Sequence, residues 1–153
     1  MARLRGFSLV ELVVTLAIVG LLASAAFPLA SVSVQRTKEQ DLRRALIDIR
    51  SALDRYKRLA DLGHIEKQPG ASGYPPALNV LVDGVKDTKD PDARLIYFLR
   101  KLPADPFNNS ESPLWGLRSY ESSSLDPQEG DDVFDVYSLS SSSGLNGVAY
   151  ATW

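Results

Sequence analysis

Residues 3–14 read Arg3-Leu4-Arg5-Gly6-Phe7-Ser8-Leu9-Val10-Glu11-Leu12-Val13-Val14, and from Leu12 to Val34 there are 23 residues without a charge. A helix that crosses a bilayer needs about 20 mostly apolar residues, so the run is long enough to span one. Two arginines precede it in a six-residue leader. Such flanks fit a membrane anchor or a secretory signal peptide, and Ala23-Ser24-Ala25 supplies an A-x-A-like cleavage site for the second. Glu11, the one charge between positions 7 and 35, favours the anchor. A carboxylate costs on the order of 2.5–3.5 kcal/mol at the centre of a membrane helix, less near its end, and a signal core gains nothing from it. An acid inside an apolar span is a functional residue by default, and the question becomes what pairs with it.

The remaining composition narrows the function classes. The chain has 153 residues, room for about one domain. Its 17 Lys and Arg against 19 Asp and Glu give a net charge of −2, without the basic surplus of a nucleic-acid binder. It has no cysteine, hence no disulfide framework, thiol nucleophile or zinc ribbon. His64 is its single histidine. There is no nucleophile elbow and no P-loop. Adjacent acids such as Asp131-Asp132 would point to opposite faces of a strand. The expectation is a protein that is not an enzyme and needs no cofactor.

Helical character continues beyond the apolar run. No proline occurs between Pro28 and Pro69, and no glycine between Gly20 and Gly63. Leu42, Leu46, Ile49, Leu53, Tyr56 and Ala60 recur at steps of four and three, the stripe of an amphipathic helix. The spacing predicts one helix from Phe7 to about Leu62, stopped by Gly63 and kinked at Pro28, where a backbone donor is missing. The stripe covers fewer than three heptads, so packing against the protein's own sheet is expected rather than a coiled coil. Domain organisation follows: leader 1–6, transmembrane helix 7–34, and head 35–153 with its amphipathic helix at 35–62.

From Leu62 onward the chain is rich in proline, glycine and serine and carries seven basic and 13 acidic residues. Pro76–Val82 is predicted as a short helix. Leu95–Leu99 is apolar and reads as a helical turn or a strand. Residues 115–120 and 133–138 read as strands of a hairpin joined by the acidic turn Asp126–Asp132. Val148–Trp153 is a last short strand or a packed tail. The fold expected is α+β: a long N-terminal helix packed on a small antiparallel sheet of two to four strands with a loop-rich head.

The string Gly6-Phe7-Ser8-Leu9-Val10-Glu11 behind basic residues resembles the leader of type IV pilins and type II secretion pseudopilins. The resemblance implies cleavage between Gly6 and Phe7 by a prepilin peptidase, with N-methylation of Phe7 by the same enzyme. Glu11 then falls at the fifth mature position, the family's near-invariant glutamate, and Pro28 at its common helix-kinking proline. Cleavage creates an amine at Phe7, and a carboxylate and an amine attract strongly where the dielectric is low. In the family the glutamate is held to pair with the amine of a neighbouring subunit, so Glu11, Phe7 and Pro28 are the expected assembly residues.

Tyr74-Pro75, Leu102-Pro103-Ala104-Asp105-Pro106-Phe107, Trp115-Gly116 and Asp135-Val136-Tyr137-Ser138 follow in an order similar to that of the major, G-type, pseudopilins. The absence of cysteine favours a pseudopilin over an adhesive pilin, which usually carries a disulfide loop. What this implies is a single-pass inner-membrane subunit, N-terminus cytoplasmic and head periplasmic, that polymerises with itself into a helical pseudopilus. The implied partners are the peptidase, minor pseudopilins and an inner-membrane assembly platform. A pilin or minor pilin of an adhesion or competence filament is the alternative, and a domain with an ordinary signal cut near Ala25 is a third. Family members bind calcium in a C-terminal loop, but the matching stretch here, Ser140–Gly147, has no carboxylate. Calcium wants six to eight oxygen ligands, usually with several carboxylates, so only Asp126, Asp131 and Asp132 stand as weak candidates.

Overall fold

The structure, a computed structural model, describes residues 8–108 and 114–153, apart from the side chains of residues 25–29. A single long helix, α1 (Leu9–Asp61), is followed by α2 (Val80–Asp83), strands β1 (Val85–Lys86), β2 (Leu95–Ile96), β3 (Gly116–Arg118) and β4 (Asp135–Tyr137), and a 3-10 turn at Tyr150–Thr152. The chain forms two compact units, residues 1–37 and 38–153. Helix α1 contributes to both.

The end of α1 follows from one glycine. Gly63 sits at φ 75°, where a side chain is disfavoured. The His64 N–H donates to the Leu59 carbonyl and the Gly63 N–H to the Ala60 carbonyl, a Schellman closure that satisfies the last carbonyls. The predicted stop at Gly63 is where the helix ends.

The second unit is built on the amphipathic stripe. All six stripe residues are buried, together with Ala45 and Ala52 from the same face. They share one core cluster with Ile65, Leu78, Leu81, Phe98, Trp115, Val133, Val136 and Tyr150. The stripe therefore packs within its own chain, as its length predicted.

The sheet differs from expectation. Instead of one sheet there are two separate antiparallel pairs, Val85 opposite Ile96 and Leu117 opposite Val136. Between β2 and β3 lie Pro103 and Pro106, which have no N–H for a ladder, and a turn closed by the Asn108 N–H on the Asp105 carbonyl. Gly116 begins β3 because a Cβ there would overlap the Tyr137 ring across the pair. The predicted helix at Pro76–Val82 starts later, at Val80, past the two prolines Pro75 and Pro76. Leu95–Leu99 resolves into strand β2 and then two N–H groups, of Phe98 and Leu99, that both donate to the Leu81 carbonyl. In Val148–Trp153, Ala149 bridges to Ser143 and the rest turns as a 3-10 helix.

Polar ties lock the loops to the core. Asp105, 3% exposed, accepts a hydrogen bond from the Ser138 hydroxyl at 2.6 Å and from the Phe107 N–H at 2.8 Å. Trp115 Nε1 donates to the Pro103 carbonyl at 2.9 Å. Arg50 on α1 donates to Asp135 Oδ1 at 2.7 Å, to the Val136 carbonyl at 3.1 Å and to the Trp153 carbonyl at 2.7 Å. One guanidinium thus joins helix, β4 and the final turn. Arg50→Ala is expected to destabilise the head by on the order of 1.5–3 kcal/mol, the range for hydrogen bonds to charged groups, read as a lower denaturant midpoint at unchanged m-value.

A second tie fixes the helix end. His64 Nδ1 lies 2.9 Å from Asp87 Oδ1, and the Thr88 hydroxyl donates to the Gly63 carbonyl at 2.8 Å. The Lys89 N–H bonded to Asp87 holds that carboxyl below its ordinary value against some desolvation, and His64 adds to the lowering. A carboxyl whose pKa is lower folded than unfolded stabilises the fold above the unfolded value, about 3.9, and loses this as pH falls through the folded value. Asp87→Asn is expected to remove that contribution, so its acid unfolding curve should be less steep below about pH 4 than the parent's.

Candidate processing and assembly site

The first described residue, Ser8, is the N-cap of α1. Its carbonyl accepts from the Leu12 N–H at 3.1 Å, and its Oγ accepts from the Glu11 N–H at 3.2 Å. A serine three residues before a glutamate is the start pattern of a helix. The helix therefore begins beyond Ser8, and the junction expected to be cut, between Gly6 and Phe7, lies outside the described residues. Ser8 was not singled out from sequence, although the Ser-x-x-Glu spacing carries the signal. Pro28 falls within the span of α1, and its side chain lies outside the description.

From Leu9 to Ser24 the helix is exposed on every side. Leu9, Val10, Leu12, Val13, Val14, Leu16, Ile18, Val19, Leu21 and Leu22 all present apolar surface. A helix apolar all round is the kind that is buried, by protein or by lipid. Its polar side chains obey the same demand. The Thr15 hydroxyl donates to the Leu12 carbonyl at 2.9 Å and the Ser24 hydroxyl to the Leu21 carbonyl at 2.8 Å. Both are satisfied within the helix, as apolar surroundings require. The carboxylate of Glu11 has no hydrogen-bond or ion-pair partner among the described residues. It is the one polar side chain of this stretch that needs something from outside. Among the described residues no helix is long and apolar enough to cross a membrane. The described side chains of the apolar run stop at Ser24 and resume at Ala30.

In the head, the loop Ser140–Gly147 is organised from α1. Glu39, 9% exposed, accepts at Oε1 from the Leu145 N–H at 2.8 Å and from the Tyr150 hydroxyl at 3.0 Å. The loop closes on itself through Gly144 N–H to Val148 carbonyl and Gly147 N–H to Gly144 carbonyl, each 2.8 Å. The acids proposed for calcium do not converge. Asp126 accepts from the Gln128 side chain at 2.9 Å and Asp132 from the Tyr120 N–H at 2.8 Å. No group of three or more His, Asp or Glu among the described residues could hold a metal ion. The described residues bring no cluster of carboxylates to this loop, so they do not fit the several carboxylates calcium usually takes. Glu39 was missed from sequence, since its partners lie more than 100 residues away and leave no local pattern.

The chain matches the family model of the prokaryotic N-terminal methylation motif over residues 1–27. The match supports a type IV pilin-like or pseudopilin protein, with prepilin processing and filament assembly, and the long helix followed by small antiparallel sheets is consistent with it. No curated protein and no solved structure matches the chain.

Glu39→Ala removes the carboxylate acceptor of the Leu145 N–H and the Tyr150 hydroxyl and is expected to destabilise the head by on the order of 1–3 kcal/mol. Glu39→Gln, which keeps an acceptor, should be milder, and thermal unfolding of both variants and the parent compares them.

Proposed function

We propose that the chain is a structural subunit of a periplasmic pseudopilus supporting a type II secretion system. It would be cut between Gly6 and Phe7 and N-methylated at Phe7. In this reading the chain is the substrate of peptidase and methyltransferase chemistry and not itself a catalyst, and it needs no cofactor. It sits in a bacterial inner membrane, N-terminus cytoplasmic and head periplasmic, until it joins the filament. Minor pseudopilins and an inner-membrane platform are its partners. The observation that carries the reading is the methylation-motif match over residues 1–27, together with the apolar stretch Leu9–Ser24, in which the Glu11 carboxylate has no partner among the described residues. The absence of cysteine supports a pseudopilus over an adhesive pilus.

An amine created at Phe7 is the group that Glu11 lacks. A neighbour's amine beside each carboxylate would set subunit register, the best-attested use of a buried ion pair. A neighbour's helix also covers the exposed apolar surface of residues 9–24.

The mass of the N-terminal peptide from native membranes tests the processing. A peptide beginning at N-methyl-Phe7 is expected, whereas one beginning near Ala26, or an intact Met1 leader, would overturn the reading. Glu11→Ala should insert in the membrane as the parent does and lose filaments. Normal filament yield from it would sink the pairing with the amine.

A further inference from the structure

Within the head a groove of about 280 Å³ opens between α1 and the last turn, lined by Arg43, Leu46, Ile47, Val148 and Trp153 among others. Its lining includes exposed apolar side chains: Ile47 is 62% exposed, and Val148 is exposed as well. Its rim is cationic. The Arg43 guanidinium stacks 4.4 Å from the Trp153 ring centroid and has no carboxylate partner among the described residues. Trp153 Nε1, on a residue of the groove lining, is a buried donor without an acceptor among the described residues.

The same chain carries the complement. Leu125, 95% exposed, is the most exposed large hydrophobic side chain described. It sits among Glu121, Asp126, Glu129 and Asp131, none of which pairs with a cation among the described residues. The turn is held in shape by its own hairpin. The Ser119 N–H donates to the Gln128 carbonyl at 2.9 Å, the Gln128 N–H to Ser122 Oγ at 3.0 Å and the Leu125 N–H to Ser123 Oγ at 3.2 Å. A pre-shaped turn loses little freedom on docking.

We propose that the groove receives the Leu125 turn of a second copy of the chain, a contact that rests on the filament reading above. Leu125 covers Ile47 and Val148, and the acids of the turn face Arg43. Groove and turn are different surfaces, so the contact is head-to-tail. Repeated without closing, such a contact builds an open helical filament rather than a dimer. Complementary charge and complementary apolar surface on one chain favour a second copy as the occupant over an unrelated protein.

The sequence has no cysteine, so a pair of introduced thiols reports the contact without background. The full chain carrying both Ile47→Cys and Leu125→Cys, assembled in membranes and mildly oxidised, is expected to give disulfide-linked trimers and larger species. Either substitution alone should give none of these. Both positions are exposed, so neither change disturbs the core. Arg43→Asp in the double variant, by turning attraction into repulsion, should lower the cross-linked yield up to about fivefold. An unchanged yield would overturn the charge pairing. Cross-linking as strong from one cysteine as from the pair would overturn the head-to-tail arrangement. Filaments that form in full without cross-links would overturn this contact and leave the filament reading standing. A parent chain that forms no filaments and a double variant that gives no cross-links would bring down both.

Discussion

A helix that is apolar on every side cannot rest in water, and the segment from Leu9 to Ser24 is such a helix. Everything polar within it is disarmed locally: Thr15 and Ser24 bond to their own backbone, and Ser8 caps the first turn. Of this segment's side chains, Glu11 alone has a polar group without a partner among the described residues. Uniform apolar surface gives cover but no direction, because any apolar neighbour covers it equally well. A single charge converts that indifferent surface into one with a preferred partner, since leaving a carboxylate unpaired at low dielectric is far more costly than exposing a leucine. The processing at Gly6–Phe7 in the proposed reading matters for this reason: it creates the one group of opposite charge that a neighbour's N-terminus can supply.

The head solves a different problem with the same helix. There α1 is apolar on one face only, and that face is consumed by the chain's own core. Secondary structure contributes little rigidity, because the strands are two or three residues long and form two separate pairs. Isolated two-stranded pairs are marginal on their own. Order comes instead from side chains that reach across the fold. Arg50 gathers β4 and the last turn, Asp105 binds Ser138, and Glu39 binds the loop through Leu145 and Tyr150. The carboxylate that organises the loop stands on the helix rather than in the loop, and it does so through two hydrogen bonds.

The helix was legible because its signal is periodic and long. Six apolar positions at four-three spacing and a glycine at the end predicted both the buried face and the stop. The paired strands were legible only as neighbourhoods, since two or three residues cannot show an alternation. Their division into two sheets was hidden in the spacing of Pro103 and Pro106. At the candidate site, Glu11 stood out as a charge in an apolar run, and the cap at Ser8 was readable from Ser-x-x-Glu. Glu39 and Arg50 were not. Their partners are separated from them by about the length of the head, and a charged residue on a helix gives no sign of whether it faces solvent or a loop that arrives a hundred residues later.

Register in such an assembly has to come from somewhere other than hydrophobicity. Lipid tails are as apolar as a leucine side chain, so moving the N-terminal helix from a bilayer into a bundle of its own kind changes its apolar free energy little. The preference must then reside in the few groups that distinguish one neighbour from another. Inside the apolar segment that group is Glu11. In the head the candidates are the groove at Arg43 and the acidic turn, where Arg43, Glu121, Asp126, Glu129 and Asp131 pair with no opposite charge among the described residues. Two specific contacts, one in each compact unit of the subunit, discriminate between neighbours more sharply than either does alone.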